Sequence, residues 1–379
     1  MMTGRERFEA LISGEVPDLI RPGGLAPWAE TRERWIREGM PPEGDLNEYL
    51  GLNHDDGMGL PLDLNMMPNF EVRVLSLDER FATVVDEYGV TRRMLRSDFD
   101  RTKGEMAWSG AMSSMSEWID FPVKTLKDWK VIYEERFRPD DPRRLPPDWK
   151  EKIPEFRARS ETRYVGKGNF PFGGVFSAVR QLMGLEGTCM AMVDDPKLVK
   201  TIINDMAEFY IAAFARVLCD VRLDAYCFFE DMASTQAPLI GPAMFDEFCA
   251  PAYRKICGEL RAMGVKLLWI DSDGNPAPLI PNWRRCGING TSPCQVAAGM
   301  DAERLLTEYP GFVLAGGIDK VALTRGPDAT REEVRRRFAS AWKYGRYWPG
   351  LDHLAPPDIP WASAVAYAET ALVCSRRPV

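Results

Sequence analysis

The chain has 379 residues, 45% hydrophobic and 27% charged, with a formal net charge of −8, enough apolar material for one large domain or two ordinary ones. The acidic balance argues against nucleic acid and anionic membranes as partners, and no apolar run approaches the roughly 20 residues of a bilayer-crossing helix. Eight cysteines without a Cys-x-x-Cys pair, and a charged N-terminus without the apolar centre of a signal peptide, point to reduced thiols in a cytoplasmic protein.

Thr3 and Glu6 form a capping box ahead of Phe8, Leu11 and Ile12, and Gly14 stops that helix. Pro17–Ile20 reads as a first strand running into Arg21-Pro-Gly-Gly24. Trp28 to Glu38 has helical amphipathicity, and Met58 to Leu64 reads as a weak second strand. Between 67 and 162 the period changes to two: Phe70–Leu75 and Ala82–Leu95, with a turn at Tyr88-Gly89, predict antiparallel strands. The proline-rich stretch 139–148 predicts a surface loop. We read 67–162 as an insertion capping one end of a single domain over 1–379.

Beyond 162 strands and helices alternate. Arg163–Gly168 is a strand. Asp194-Asp-Pro-Lys opens a long helix whose Leu198, Ile202, Met206, Phe209, Ala213 and Val217 recur at helical spacing. Asp224–Asp231 is a strand that ends in two acids. Helices near 242–263 lead to Val265–Asp271, an apolar run that breaks into Asp271-Ser-Asp-Gly-Asn275. Strands near 289, 313 and 347 follow. Thr330 and Glu333 predict a capping box for the helix reaching Lys343, and a last helix starts near Pro360. Strands near 18, 60, 165, 226, 267, 289, 313 and 347 make a (β/α)8 TIM barrel, an α/β fold of typically roughly 250 residues, with an inserted antiparallel segment after the second strand.

Barrel chemistry gathers at the C-terminal strand ends. That rim would carry Arg21, Asp63, Glu230, Asp231, Asp271, Asp273, Gly316, Gly317, Asp319, Asp352 and His353. Two uses fit the acids of Glu230, Asp271 and Asp273 with His353: a divalent-metal site of oxygen and imidazole ligands, or carboxyls pushed apart in pKa to serve as proton donor and base. The bland reading pairs them with local cations. His353 is one of two histidines; the other, His54, reads as an exposed loop residue. Arg21 suits a substrate carboxylate, which guanidinium binds in bidentate fashion. Gly316-Gly317 offers bare N–H groups to an anion or simply makes a tight turn.

The Asp271-Ser-Asp-Gly-Asn turn followed by Leu279-Ile-Pro, the Glu230-Asp-Met strand end, Gly316-Gly-Ile-Asp-Lys320 and Pro349-Gly-Leu-Asp-His353 resemble the uroporphyrinogen decarboxylase superfamily. Arg5-Glu-Arg-Phe and Trp28–Trp35 resemble its divergent decarboxylase-like branch, related to corrinoid-dependent methyltransferases. The resemblance implies a barrel, a homodimer and one of two chemistries. Decarboxylases of the family remove carboxyls from a tetrapyrrole without a cofactor, and hold it with an arginine-rich motif after the first strand. Here that position reads Arg21-Pro-Gly-Gly-Leu, leaving one arginine. The resemblance makes Gly316, Gly317 and Asp319 part of a substrate-contacting turn.

The other branch moves methyl groups to or from a corrinoid carried by a partner protein, using zinc held by His-x-Cys and a later Cys. Those positions align with Asp271-x-Asp273 and the neighbourhood of Asp352-His353, so a thiol-activating zinc site is not supported, and the residues fit either an oxygen-rich metal site or a metal-free acid/base site. The first expectation is a methyltransferase acting on a small methylated compound and a corrinoid protein, with Glu230 and Asp273 binding or protonating the leaving group. The alternatives are a cofactor-free decarboxylase of a tetrapyrrole or smaller carboxylate, in which Arg21 binds the carboxylate and Asp271 or Asp273 stabilises a protonated intermediate, and a barrel that binds a ligand without turnover.

Overall fold

A computed structural model describes residues 2–52, 57–105, 115–159, 161–165 and 170–377. His54 lies outside these residues. The centre is a parallel sheet of seven strands in sequence order: β1 (Gly57–Gly59), then, past four strands of a separate sheet numbered β2–β5 below, β6 (Thr162–Val165), β7 (Ala225–Phe229), β8 (Leu267–Asp271), β9 (Gly290–Ser292), β10 (Val313–Ile318) and β11 (Tyr347–Leu351). Each strand is followed by helix before the next, which is what parallel pairing demands. The sheet curls into a TIM-barrel-like fold.

The predicted first strand near residue 18 is not a ladder strand. Its segment is extended and bonds singly to several partners: Ile20 N to Ser375 O at 2.9 Å at the end of the last helix, Gly23 N to Pro349 O at 2.9 Å on β11, and a parallel bridge between Pro27 and Ala355 beyond that strand. Pro22 and Pro27 lack the N–H groups a regular ladder requires. Close approach also interrupts it, because a Cβ on Gly23 would stand 2.8 Å from Gly350 Cα.

The two faces of the sheet belong to different cores. Tyr226, Leu268, Ile270 and Leu314 join the large core under the outer helices. Their neighbours Ala225, Leu267 and Val313 form a separate cluster with Phe8, as alternation along a strand requires. Phe8 comes from the Gly4–Ser13 helix, which carries the expected Thr3/Glu6 capping box and ends at Gly14 with φ +83°. This helix crosses the N-terminal mouth of the barrel. Arg5 donates to Glu161 O at 3.0 Å on one side, and Arg346 donates to Ser13 O on the other.

The helix Pro196–Leu218 starts as expected, with the Asp195 carboxylate accepting Leu198 N and proline at its first position. Its stripe from Leu198 to Val217 is buried. The helix Pro327–Tyr344 begins three residues before the predicted box. Its N-cap is Gly326, Thr330 lies inside and donates its hydroxyl to Gly326 O, and Glu333 pairs with Arg336 and Arg337. Pro327 at the first helical position explains the earlier start.

The 67–162 segment holds an antiparallel sheet, β2 (Arg73–Leu77), β3 (Phe81–Val85), β4 (Thr91–Leu95) and β5 (Glu117–Asp120), in that spatial order. Asp86 organises its turn by accepting Tyr88 N and Val90 N at 2.9 Å while pairing with buried Arg92 at 2.8 Å. Helices Leu126–Arg136 and Trp149–Ala158 were not expected there. Nor is the 139–148 stretch wholly superficial: Arg144 is fully buried and donates to the carbonyls of Arg138, Asp63, Asn65 and Arg136. No helix among the described residues is long and apolar enough to cross a membrane.

Candidate active site

β7 and β8 pair in register through Phe229 and Asp271, so their acidic ends emerge side by side. Asp271 O accepts both Glu230 N at 2.9 Å and Asp231 N at 3.2 Å. The chain turns sharply here: Asp231 has φ +44°, a conformation that costs a non-glycine residue about 1 kcal/mol or more and is concentrated at functional sites. The two acids of β7 thereby separate. Glu230 turns inward and Asp231 turns toward the rim.

Glu230 is fully enclosed. Its carboxylate accepts Phe176 N at 3.2 Å, Ser177 N at 2.6 Å and the Tyr253 hydroxyl. Phe176 and Ser177 are the second and third residues of the helix Val175–Met183, so Glu230 satisfies helix-end N–H groups from a distant strand. Burial pushes the carboxyl up to about 7, against the lowering effect of these donors. Gly174 leaves the room: a Cβ there would collide with the Glu230 carboxyl and stand 2.6 Å from Phe229 O.

Asp231 and Asp273 face each other across the rim. Asp231 Oδ1 accepts Asp273 N at 3.3 Å, and Asp231 Oδ2 lies 3.9 Å from Arg180 of the Val175–Met183 helix. Burial first, and the Asp273 charge second, push the Asp231 carboxyl up to about 6. Asp273 Oδ2 in turn meets His353 Nε2 at 2.8 Å, with both side chains partly open to solvent. Ser272 supports this turn by accepting Met232 N at 3.0 Å, and Gly274 follows with φ +77°. The result is a connected line, Arg180–Asp231–Asp273–His353.

The other sequence-derived candidates lie around this line. Asp271 accepts the Ser292 hydroxyl at 2.8 Å and is buried. Asp352 is fully buried, with its two oxygens on Val296 N and Lys320 N; it fastens loops. Asp319 caps the helix Lys320–Thr324 through Val321 N. Gly316 and Gly317 have φ +94° and +72°, and Gly317 N donates to Pro293 O at 2.9 Å. A Cβ on Gly316 would run into that same carbonyl, so the pair makes the crossing of β10 over the 292–294 turn. Asp63 accepts Asn65 N at 2.8 Å and its carbonyl holds Arg144. Arg21 is half-buried on the extended segment beside β11.

Among the described residues no three His, Cys, Asp or Glu side chains are grouped as metal ligands. Glu230 faces a helix end, Asp271 faces Ser292 and Asp273 faces His353. A metal held by Glu230, Asp271, Asp273 and His353 together does not fit this arrangement. Sequence reasoning did not single out Arg180, Ser177 or Tyr253, because their roles depend on two helices, Val175–Met183 and Ala250–Ala262, that meet Glu230 and Asp231 from elsewhere in the chain. For Asp231 the signal was present, in the paired acids at a strand end.

A model of the uroporphyrinogen decarboxylase (URO-D) family matches residues 170–371, which hold β7 to β11 and every member of the line above. The chain belongs to the uroporphyrinogen decarboxylase family. A solved methyltransferase from Methanosarcina mazei shares the fold at 15% identity, covering 98% of this chain and 99% of the other with a TM-score of 0.58. A B12-independent methionine synthase from Shewanella sp. W3-18-1, in complex with selenomethionine, aligns at 10% identity over 94% and 97% of the two chains, with a TM-score of 0.42. A search of curated proteins gives no match. Within the uroporphyrinogen decarboxylase family fold, the line from Arg180 to His353 occupies the rim where barrel active sites lie.

Proposed function

We propose that this barrel is a methyltransferase, moving a methyl group from a small methylated compound to a reduced corrinoid carried by a partner protein. The observation that carries the reading is the Asp231–Asp273–His353 group at the ends of β7, β8 and β11. When a methyl group leaves nitrogen or oxygen, the electron pair of the broken bond stays on that atom. The atom needs a proton, or must already carry a positive charge. Asp231, raised to about 6, keeps roughly a tenth of its population protonated at pH 7, and Asp273 orients the His353 ring through Nε2, so the group can protonate a leaving atom or hold a charged one. The corrinoid, when docked, supplies the nucleophile. The reaction class is that named for the Methanosarcina mazei methyltransferase. Acids at the rim also suit a neutral or cationic compound better than a tetrapyrrole polycarboxylate.

The test is methyl transfer to free cob(I)alamin, followed by its change in absorption, with a panel of methyl ethers and methylamines as donors. Wild type is expected to transfer, and Asp273→Asn and His353→Gln to lose roughly 100-fold or more in kcat/KM while remaining folded. Carbon dioxide release from uroporphyrinogen without any methyl transfer would overturn the reading in favour of decarboxylation. Tight ligand binding without turnover would make this a binding barrel.

A further inference from the structure

We propose that the barrel interior beneath the rim is an aromatic cage for a methylated ammonium ion, walled by Trp269 and Trp348, with Tyr164 on the same inner face two strands from Trp269. The inference rests on the methyltransferase reading and names the substrate class for that site.

The side chains are placed by register. Trp269 is two residues beyond Leu267 on β8, and Tyr164 pairs with Ala225 on β7. Leu267 and Ala225 belong to the inner cluster, against which Trp269 and Trp348 also pack. All three rings therefore start from the inner face. Below them the barrel is floored: Phe8 stacks on Trp348 with ring centroids 5.9 Å apart.

A barrel packed to its centre leaves such residues dry. Here Trp269, at the centre of β8, and Trp348, the second residue of β11, are only partly buried, and Tyr164 is 45% exposed. Phe8 and the helix that carries it cover the lower side, so this exposure is assigned to the rim side. Glycines at 57 and 59 keep the adjoining strand bare, and the Tyr164 ring lies against Gly57, whose added Cβ would sit 3.0 Å from the ring edge.

The tryptophan rings stand 6.2 Å apart at 75°, two walls of a corner. Ordinary core aromatics also adopt this geometry. What separates the two cases is the exposure together with the charge above. Asp271 lies two residues beyond Trp269 on the same face, about 7 Å higher, and Asp273 and Asp231 stand past it. Tryptophan faces attract a cation, and this is the known physical basis of quaternary-ammonium recognition; carboxylates at the mouth reinforce it. A methyl ether would use the walls but, being uncharged, would gain no charge attraction from the acids on binding. With an ammonium donor the N–CH3 bond breaks with its pair on nitrogen. The leaving group becomes a neutral amine, the methyl carbon bonds to the acceptor's electron pair, and no proton is consumed.

Titration calorimetry of the full chain with choline, with its uncharged isostere 3,3-dimethyl-1-butanol and with methoxybenzene tests this. Choline is expected to bind at least roughly tenfold more tightly than the isostere. Trp348→Leu should remove that preference and Trp348→Phe should keep part of it, with circular dichroism verifying that both variants fold. Equal binding of choline and the isostere, or binding of methoxybenzene without choline, overturns the cage. Choline binding without methyl transfer to cob(I)alamin would support the cage and sink the methyltransferase reading. Demethylation of ethers with no choline binding would do the reverse.

Discussion

Glu230 and Asp231 are adjacent in sequence and opposite in circumstance. One is sealed behind a helix terminus and the other faces the rim; the difference comes from the left-handed backbone at Asp231. Their pKa values rise for related reasons with different consequences. Glu230 is wholly buried and its carboxyl is raised from 4.5 to about 7, so the folded state favours the protonated form relative to the unfolded chain. That contribution to stability is fully present below about pH 4.5 and is lost as pH rises through about 7. Glu230→Gln cannot titrate, and its amide N–H would face the Ser177 N–H that the carboxylate now accepts. The variant is expected to be less stable than wild type at low pH, by roughly 1–3 kcal/mol. The gap should narrow as pH climbs through this window. Urea unfolding of both proteins across that range measures it; a gap independent of pH would show that Glu230 does not titrate there.

Among the elements, the helix Val175–Met183 links core and site. Its N-terminus is held by Glu230 and its last turn carries Arg180 to Asp231. The contact depends on Gly174. Gly174→Ala would press a methyl group into the Glu230 carboxyl and toward Phe229 O, and that carbonyl belongs to a strand end that cannot yield. The expected loss is about 1–3 kcal/mol in stability, with a larger fall in activity than stability alone explains, because Arg180 moves with the helix. Chemical denaturation with kinetics on the same samples would separate the two effects. This helix was not legible beforehand, since its meaning lies in a contact between residues about fifty positions apart. The strands from 225 to 351 were legible, because apolar runs ending in acids or glycines carry both the fold and the rim in local sequence. The helices Leu126–Arg136 and Trp149–Ala158 escaped notice because few of their residues are buried: Trp129 and Ile132 in one, Trp149 and Phe156 in the other. The first strand was overread, because Pro17–Ile20 has strand composition while the prolines after it prevent a ladder.

At the scale of the whole molecule, the N-terminal helix closes one end of the barrel and the acidic rim opens the other. The floor is made by Phe8 on Trp348 together with Leu267 and Val313, and the helix is fastened at its edge by Glu9 to Lys266 and Arg222, each at 2.6 Å. Those ion pairs are surface contacts and contribute little; the buried ring does most of the anchoring. Phe8→Ala is therefore expected to lower stability by about 3 kcal/mol, whereas Glu9→Gln should change it by less than about 1 kcal/mol. The two variants also separate floor from fastening in function. Without the Phe8 ring, Trp348 loses its stacking partner and water gains access to the cage from below, so ligand affinity should fall in Phe8→Ala and hold in Glu9→Gln. Tryptophan fluorescence quenching by choline on the folded variants reads this directly. Equal affinities in the two would place the binding pocket above the reach of the floor, and would confine the ligand to the Asp231–Asp273–His353 group.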